Sequence, residues 1–224
     1  MKRLLGYLIA AFAFAACGGE ATTADARVIS IETTACGNAS RTSGAGVIVE
    51  DGWALVSAHV VAGAGSVAAV GPDGDALAAA DEVDIVVFDA ASDLALLRVP
   101  SVMASPVVLG DGGNEDVVLI AGGGPSPATE ATILRGVEVR IEAVRSEERI
   151  SRIGYEIDTR VALGDSGSGV YDEADQLIGI VFGRAAEDED RSFVVGREEI
   201  ADVLAVERSS VWTCDPTQHQ IVER

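Results

Sequence analysis

Short apolar runs, broken at nearly regular intervals by Gly, Asp and Ser, fill most of this chain and leave little room for anything but strands. The first series reads RVISIE, GAGVIVE, WALVSA, SVAAV, VDIVVFD and LALLRV. Residues 105–116, SPVVLGDGGNED, interrupt it with turn formers around one short apolar segment. A second series follows: DVVLIAG, ATILRGVEVRIEAVR, IGYEID, SGVYD, QLIGIVFG and SFVVG. Runs of this length bounded by turn residues are strand signals. Two sets of six predict an all-β fold of two six-stranded antiparallel β-barrels, about residues 27–104 and 105–206, rather than a parallel α/β sheet. Only REEIADVLAV, residues 197–206, has helical spacing of its apolar positions and early charge, which predicts a short C-terminal helix.

With 224 residues, 48% of them apolar, the chain is long enough to bury a sizeable core. Its 16 basic against 36 acidic residues exclude a nucleic-acid binder, which needs a basic footprint, and adhesion to anionic lipid by charge. The acidity reads as a solvated surface. The first residues carry an address. MKR is a positive leader and LLGYLIAAFAFAA an apolar segment too short for a comfortable membrane span. Residues 1–16 are therefore predicted to be a signal peptide. The following Cys17, with Ala15, Ala16 and Gly18 around it, resembles the lipidated cysteine of bacterial lipoproteins, with Phe14 where that pattern usually has Leu. Residues 17–26 would then be a lipidated tether holding the chain to a membrane, facing the periplasm or the exterior. An ordinary signal peptide with an incidental cysteine is the alternative.

Of the 3 cysteines, setting Cys17 aside leaves Cys36 and Cys214, an even pair in an exported chain. A bridge between them would enclose almost the whole domain and contribute roughly 4–5 kcal/mol in the chain-entropy model. Two free buried thiols are the other possibility. Two histidines and scattered cysteines offer no metal-ligand spacing.

The chemistry gathers around few residues. His219 lies in the polar segment TQHQ and reads as solvated, whereas His59 ends the apolar run WALVSAH. Asp93 immediately precedes the run LALLRV, with Asp89 a competitor just upstream. Ser166 lies in ALGDSGSGV, which could be a plain turn. A serine hydroxyl becomes a nucleophile only beside a base, and histidine suits that task because it titrates near neutrality. A carboxylate must then hold the imidazole tautomer and stabilise the imidazolium. Gly164 and Gly167 permit torsions that aim successive N–H groups at one point, where an oxygen gains charge.

Taken together, SGAGVIVEDGWALVSAHVVAGAG, FDAASDLALLRV, GDSGSGV and QLIGIVFG resemble the chymotrypsin-fold serine proteases. Within that fold they are most similar to the HtrA-like trypsin-like peptidases of bacterial envelopes, over most of residues 28–206. The resemblance implies a protease domain over residues 27–218, with 219–224 as a tail. It implies His59 as general base, Asp93 as orienting acid and Ser166 as nucleophile, with the N–H groups of Gly164 and Ser166 as oxyanion hole. Ile180, Val181, Phe182 and Gly183 would pair with the substrate backbone by β-addition. Peptides or unfolded proteins are the implied partners, with no cofactor and no metal. A terminal disulfide also resembles that of the membrane-anchored acid-resistance periplasmic proteases. Departures from the family pattern are Val56 in place of a threonine, and Ser168 and Gly169 in place of Gly-Pro. The sequence after the expected last helix leaves no room for the PDZ module that most HtrA proteins append. Arg160, six residues before Ser166, would favour an acidic substrate side chain if it pointed inward and a small apolar one if outward. The alternative to an enzyme is an inactive protease-fold protein that binds peptides or partners at the envelope.

Overall fold

The structure is a computed structural model that describes residues 25–123, 126–144, 147–215, 217 and 220–223. Residues 1–16, expected to be a signal peptide, and Cys17 and His219 lie outside the described residues. Seven strands come first: β1 (Val28–Ala35), β2 (Arg41–Glu50), β3 (Trp53–Ser57), β4 (Ala64–Val70), β5 (Ala76–Ala78), β6 (Asp84–Asp89) and β7 (Leu94–Arg98). A single helical turn, α1 (Ala58–Val61), follows β3. The second series is β8 (Val117–Ile120), β9 (Thr129–Glu142), β10 (Arg149–Ile157), β11 (Gly169–Tyr171), β12 (Leu177–Arg184) and β13 (Ser192–Gly196). Helix α2 (Arg197–Ala205) then leads to β14 (Trp212–Asp215) and β15 (Gln220–Glu223).

Each of the twelve apolar runs is a strand, and α2 falls where helical spacing places it. The assembly differs from two equal barrels. The second series pairs in a closed ring, β10-β13-β12-β11-β8-β9 and back to β10. The first lies in a nine-stranded sheet ordered β15-β14-β6-β7-β3-β2-β1-β4-β5, whose end strands do not pair. The surplus has a simple origin: β5 is a three-residue addition, and the hairpin β14–β15, which follows the ring in the chain, returns to join β6. Residues 219–224, expected to be a tail, therefore include a strand. Its polar composition hid it, but Ile221 is buried in the sheet's core and Trp212 packs on Phe88 with ring centroids 5.3 Å apart. Asp215 accepts bonds from the N–H and hydroxyl of Thr217 and shapes the intervening turn.

Side-chain alternation sorts the apolar residues into three cores. Ala54, Val56, Ala95 and Leu97 face the interior of the nine-stranded sheet, while Leu55, Leu94 and Leu96 on the same strands face the ring. Ile178 and Val181 fill the ring, while Leu177, Ile180 and Phe182 meet the sheet. Strands buried on both faces read as unbroken apolar runs, which is why LALL and LIGIV carry no polar partner residues. The change of face along β12 comes from register shifts between Val170 and Tyr171 of its partner β11, and between its own Val181 and Gly183. The second shift is a bulge at Phe182, the kind of irregularity that re-aims a side chain.

Cys36 and Cys214 form a disulfide, Cα atoms 5.5 Å apart across 178 residues. It ties the residue after β1 to β14, two parts of the sheet that no backbone pairing joins. Covalent chemistry closes what hydrogen bonds leave open.

Candidate active site

His59 stands on α1, directly after β3, and Asp93 on the turn into β7, the strand beside β3. The pairing Ser57↔Leu94 carries both residues to the same end of the sheet. Three bonds fix them there. The N–H of Ala58 donates to the Asp93 carbonyl and the N–H of His59 to Asp93 Oδ1, both at 2.8 Å. His59 Nδ1 lies 2.8 Å from Asp93 Oδ2. The carboxylate thus caps the first turn of α1 and holds the ring in one orientation. An ionised Asp93 puts the proton on Nδ1 and leaves Nε2 as the acceptor. Asp93 is 3% exposed and adopts φ +61, a left-handed conformation that aspartate tolerates better than most side chains. Asp89, the competitor, is engaged otherwise: its carboxylate accepts from the Ala91 N–H and the Ser92 hydroxyl. Asp93 is the acid that faces the histidine.

Ser166 reaches the same region from the ring. Its carbonyl accepts the N–H of Ala45 at 2.8 Å, and a Cβ on Gly44 would sit 2.9 Å from that carbonyl and 2.6 Å from Val60. The serine turn and the histidine turn therefore press on one glycine of β2. Gly164 and Gly167 have φ +101 and +96, and a Cβ on Gly167 would meet the Ala45 carbonyl at contact no real Cβ shows. The N–H of Gly167 donates to the Val181 carbonyl, the N–H of Ser168 donates to the Asp165 carbonyl, and the Ser168 carbonyl accepts the N–H of Val181. Among the described residues, the N–H groups of Gly164 and Ser166 donate no backbone bond of this kind. Ser166 is partly exposed while Ser168 is 2% exposed, so only the first presents its hydroxyl to solvent.

Some of the machinery was not visible in the sequence. Asp165, 4% exposed, accepts from the Ala162 N–H at 2.7 Å and the Ser126 hydroxyl at 2.6 Å, and so braces the turn from within. Arg152 of β10, 3% exposed, lies with Nη1 3.7 Å from Asp93 Oδ2. Its strand carries Arg152, Gly154 and Glu156 buried while Ile153 is 53% exposed. That reversal of the usual alternation was the available signal, and it reads as an ordinary solvated strand without coordinates. His59, Asp93, Ile141, Val144, Arg152 and Phe182 line a cleft of about 420 Å³.

Of the strand Ile180–Gly183, the first half is already engaged. Ile180 pairs with Gly169, and both backbone groups of Val181 bond to the serine turn. Past Ile180, β11 no longer covers this edge of β12, which narrows the stretch open to a peptide to Phe182, Gly183 and beyond. Arg160 pairs with Glu189 at 2.9 Å, both side chains largely exposed. Among the described residues no group of three His, Cys, Asp or Glu side chains could hold a metal ion.

The family model of the trypsin-like peptidase domain matches residues 44–180, more than half of the chain. Serine protease Rv3671c of Mycobacterium tuberculosis is 32% identical over 130 residues, 55% of this chain and 33% of that protein. The chain thus spans about a third of the length of the curated relatives it matches. The crystal structure of the active form of the Rv3671c protease superimposes with TM-score 0.72 at 29% identity, covering 81% of each chain. HtrA-type protease AlgW with tripeptide shares the fold, with TM-score 0.64 at 23% identity over 81% of this chain and 60% of that one. With the matched domain model running from β2 to β12, across both the histidine and the serine turns, this chain belongs to the trypsin-like peptidase family.

Proposed function

We propose that the protein is a serine endopeptidase working through an acyl-enzyme at the cell envelope. Ser166 Oγ attacks a peptide carbonyl, His59 Nε2 takes its proton and returns it to the leaving amine, and water releases the acyl group by the same route. Asp93 holds the tautomer, and the N–H groups of Gly164 and Ser166 receive the oxyanion. The observation that carries this reading is the 2.8 Å bond from His59 Nδ1 to a buried Asp93, set on the same wall as the Ser166 turn. The open edge of β12 at Phe182 and Gly183 supports β-addition of an extended peptide. The outward position of Arg160 supports a small apolar residue at the bond to be cut. Export through the leader, with lipid on Cys17, fits the disulfide, which belongs to oxidising compartments.

A fluorophosphonate probe on the purified, oxidised protein tests the proposal. The wild type labels at Ser166, and labelling disappears in Ser166→Ala and collapses in His59→Ala. A folded wild type that never labels leaves a peptide-binding protein without catalysis. Mass spectrometry of the mature N-terminus tests the anchor: an unmodified start after Cys17 removes it.

A further inference from the structure

Arg152 stands where a surface strand residue would not be expected to stand. Its Nε and Nη2 donate to the Ala91 carbonyl at 3.2 and 3.1 Å, and its Cζ lies 4.7 Å from the centroid of the Phe182 ring. Nη1 approaches Asp93 Oδ2, the same oxygen that receives His59 Nδ1. Arg152 belongs to the ring and its partners Ala91 and Asp93 to the sheet, so the side chain crosses the boundary between the serine and its base.

Burying a cation this deeply is costly unless it is paired. Burial pulls the guanidinium down from its ordinary value, and the carboxylates of Asp93, Asp89 and Glu199 push it back up. What the guanidinium supplies is a geometric hold, through the Ala91 carbonyl, Asp93 Oδ2 and the Phe182 ring. Asp93 needs such a hold: a left-handed non-glycine residue is strained and persists only where its surroundings over-determine it. The bulge at Phe182 supplies the aromatic face that keeps the guanidinium planar against the turn.

We propose that Arg152 is a positioning residue for the catalytic pair, fixing the Ala91–Asp93 turn to the ring so that His59 is aligned with Ser166. This rests on the serine-protease reading above and adds a residue to it.

The test uses the full oxidised chain, with Arg152→Met and Arg152→Lys, on a fluorescent casein and with the fluorophosphonate probe. Misplacing a catalytic group by about 1 Å costs about 10²-fold in rate. Arg152→Met is therefore expected to lose about that factor in kcat with apparent KM unchanged. Arg152→Lys, which keeps the charge but lacks the planar fork that spans Ala91 and Asp93 and stacks on Phe182, recovers about tenfold of the loss. Where the methionine variant does not fold, the lysine variant alone is decisive: about a tenfold loss in kcat supports the proposal. Proton NMR of the same substitutions in a Ser166→Ala background reads the pair without catalysis, through the far-downfield His59 Nδ1 proton. Its broadening or loss supports the role. Wild-type kcat in the variants, or an unchanged resonance in both, overturns it. If the wild type itself fails to label, the protease reading falls while the resonance still decides the positioning role.

Discussion

His59 and Asp93 stand on a sheet whose β1 and β14 regions are joined by a disulfide, whereas Ser166 leads into a strand of a ring that closes through its own backbone. The contrast extends to the residues themselves. The histidine turn is held by a carboxylate from another strand, with bonds to both side chain and main chain, while the serine turn is held mainly by glycine torsions and main-chain bonds to β2 and β12, with its own Asp165 as an internal brace. The first half is positioned by one side chain reaching across strands; the second is positioned mostly by the path of the chain. Apart from Ser166 itself and the Asp165 brace, a side-chain change should therefore injure the serine half only where it alters that path.

The largest expected effect follows directly. Asp93→Asn keeps the bond geometry available but favours the wrong imidazole tautomer, and kcat should fall by about 10⁴-fold with the fold intact. Steady-state kinetics beside a thermal melt measure this. A loss of stability to match the loss of rate would show that the carboxylate serves the turn more than the base.

Next in size is the covalent closure. Replacing Cys36 and Cys214 by serine should cost about 2–5 kcal/mol. Hydrogen exchange should rise first in β4, β14 and β15, with β10 to β13 still protected. Equal loss of protection in both regions would mean that the sheet and the ring unfold as one unit and that the contrast has no energetic content.

A smaller effect separates the halves by pH. In the ring, Glu156 is buried on β10 and receives bonds from Arg191 Nη1 at 2.8 Å and Arg135 Nε at 2.6 Å. The bond from Arg191 leads in holding its carboxyl below the ordinary glutamate range, against burial, with Arg135 adding to it. A depressed carboxyl stabilises the fold above the unfolded glutamate value, about 4.3, and that contribution is lost as pH falls through the lower folded value. Thermal midpoints of wild type and Glu156→Gln should differ at pH 6 and converge below about pH 4. A gap that stays constant on acidification assigns the contribution to packing instead.

Least of all should Ser168→Ala disturb the protein. The change leaves the main-chain bonds of the serine turn in place, and probe labelling should stay within a few-fold of wild type. Loss of labelling here, with Ser166→Ala still reactive, would move the nucleophile by two residues.

The unequal supports also explain what could be read in advance. Runs such as LIGIVF and LALL announce strands because both of their faces are covered, and GDSG announces a turn because L-residues do not take its torsions. Those features are local in the chain. The hairpin β14–β15 is not: its strands are four residues each, half polar, and acquire their order from β6 and from the core around Ile221. Spacing alone left Asp93 and Asp89 as competitors, and the resemblance implied Asp93; the pairing of β3 with β7 supplies the physical reason, by bringing Asp93 to His59. Arg152 lay furthest from view. Its role is created by Phe182 and Ala91, one thirty and the other sixty-one positions away along the chain, and no spacing rule joins the three.

The returning hairpin has a consequence for the order of events during synthesis. Chains generally fold from the N-terminus as they emerge, domain by domain. Here the sheet that bears His59 and Asp93 receives β14, β15 and the partner of Cys36 only after every strand of the ring has been made. The ring and its serine turn can be shaped before the sheet beside them is complete. The Cys36–Cys214 bond, which spans 178 residues, can therefore close only after every strand of the ring has been made.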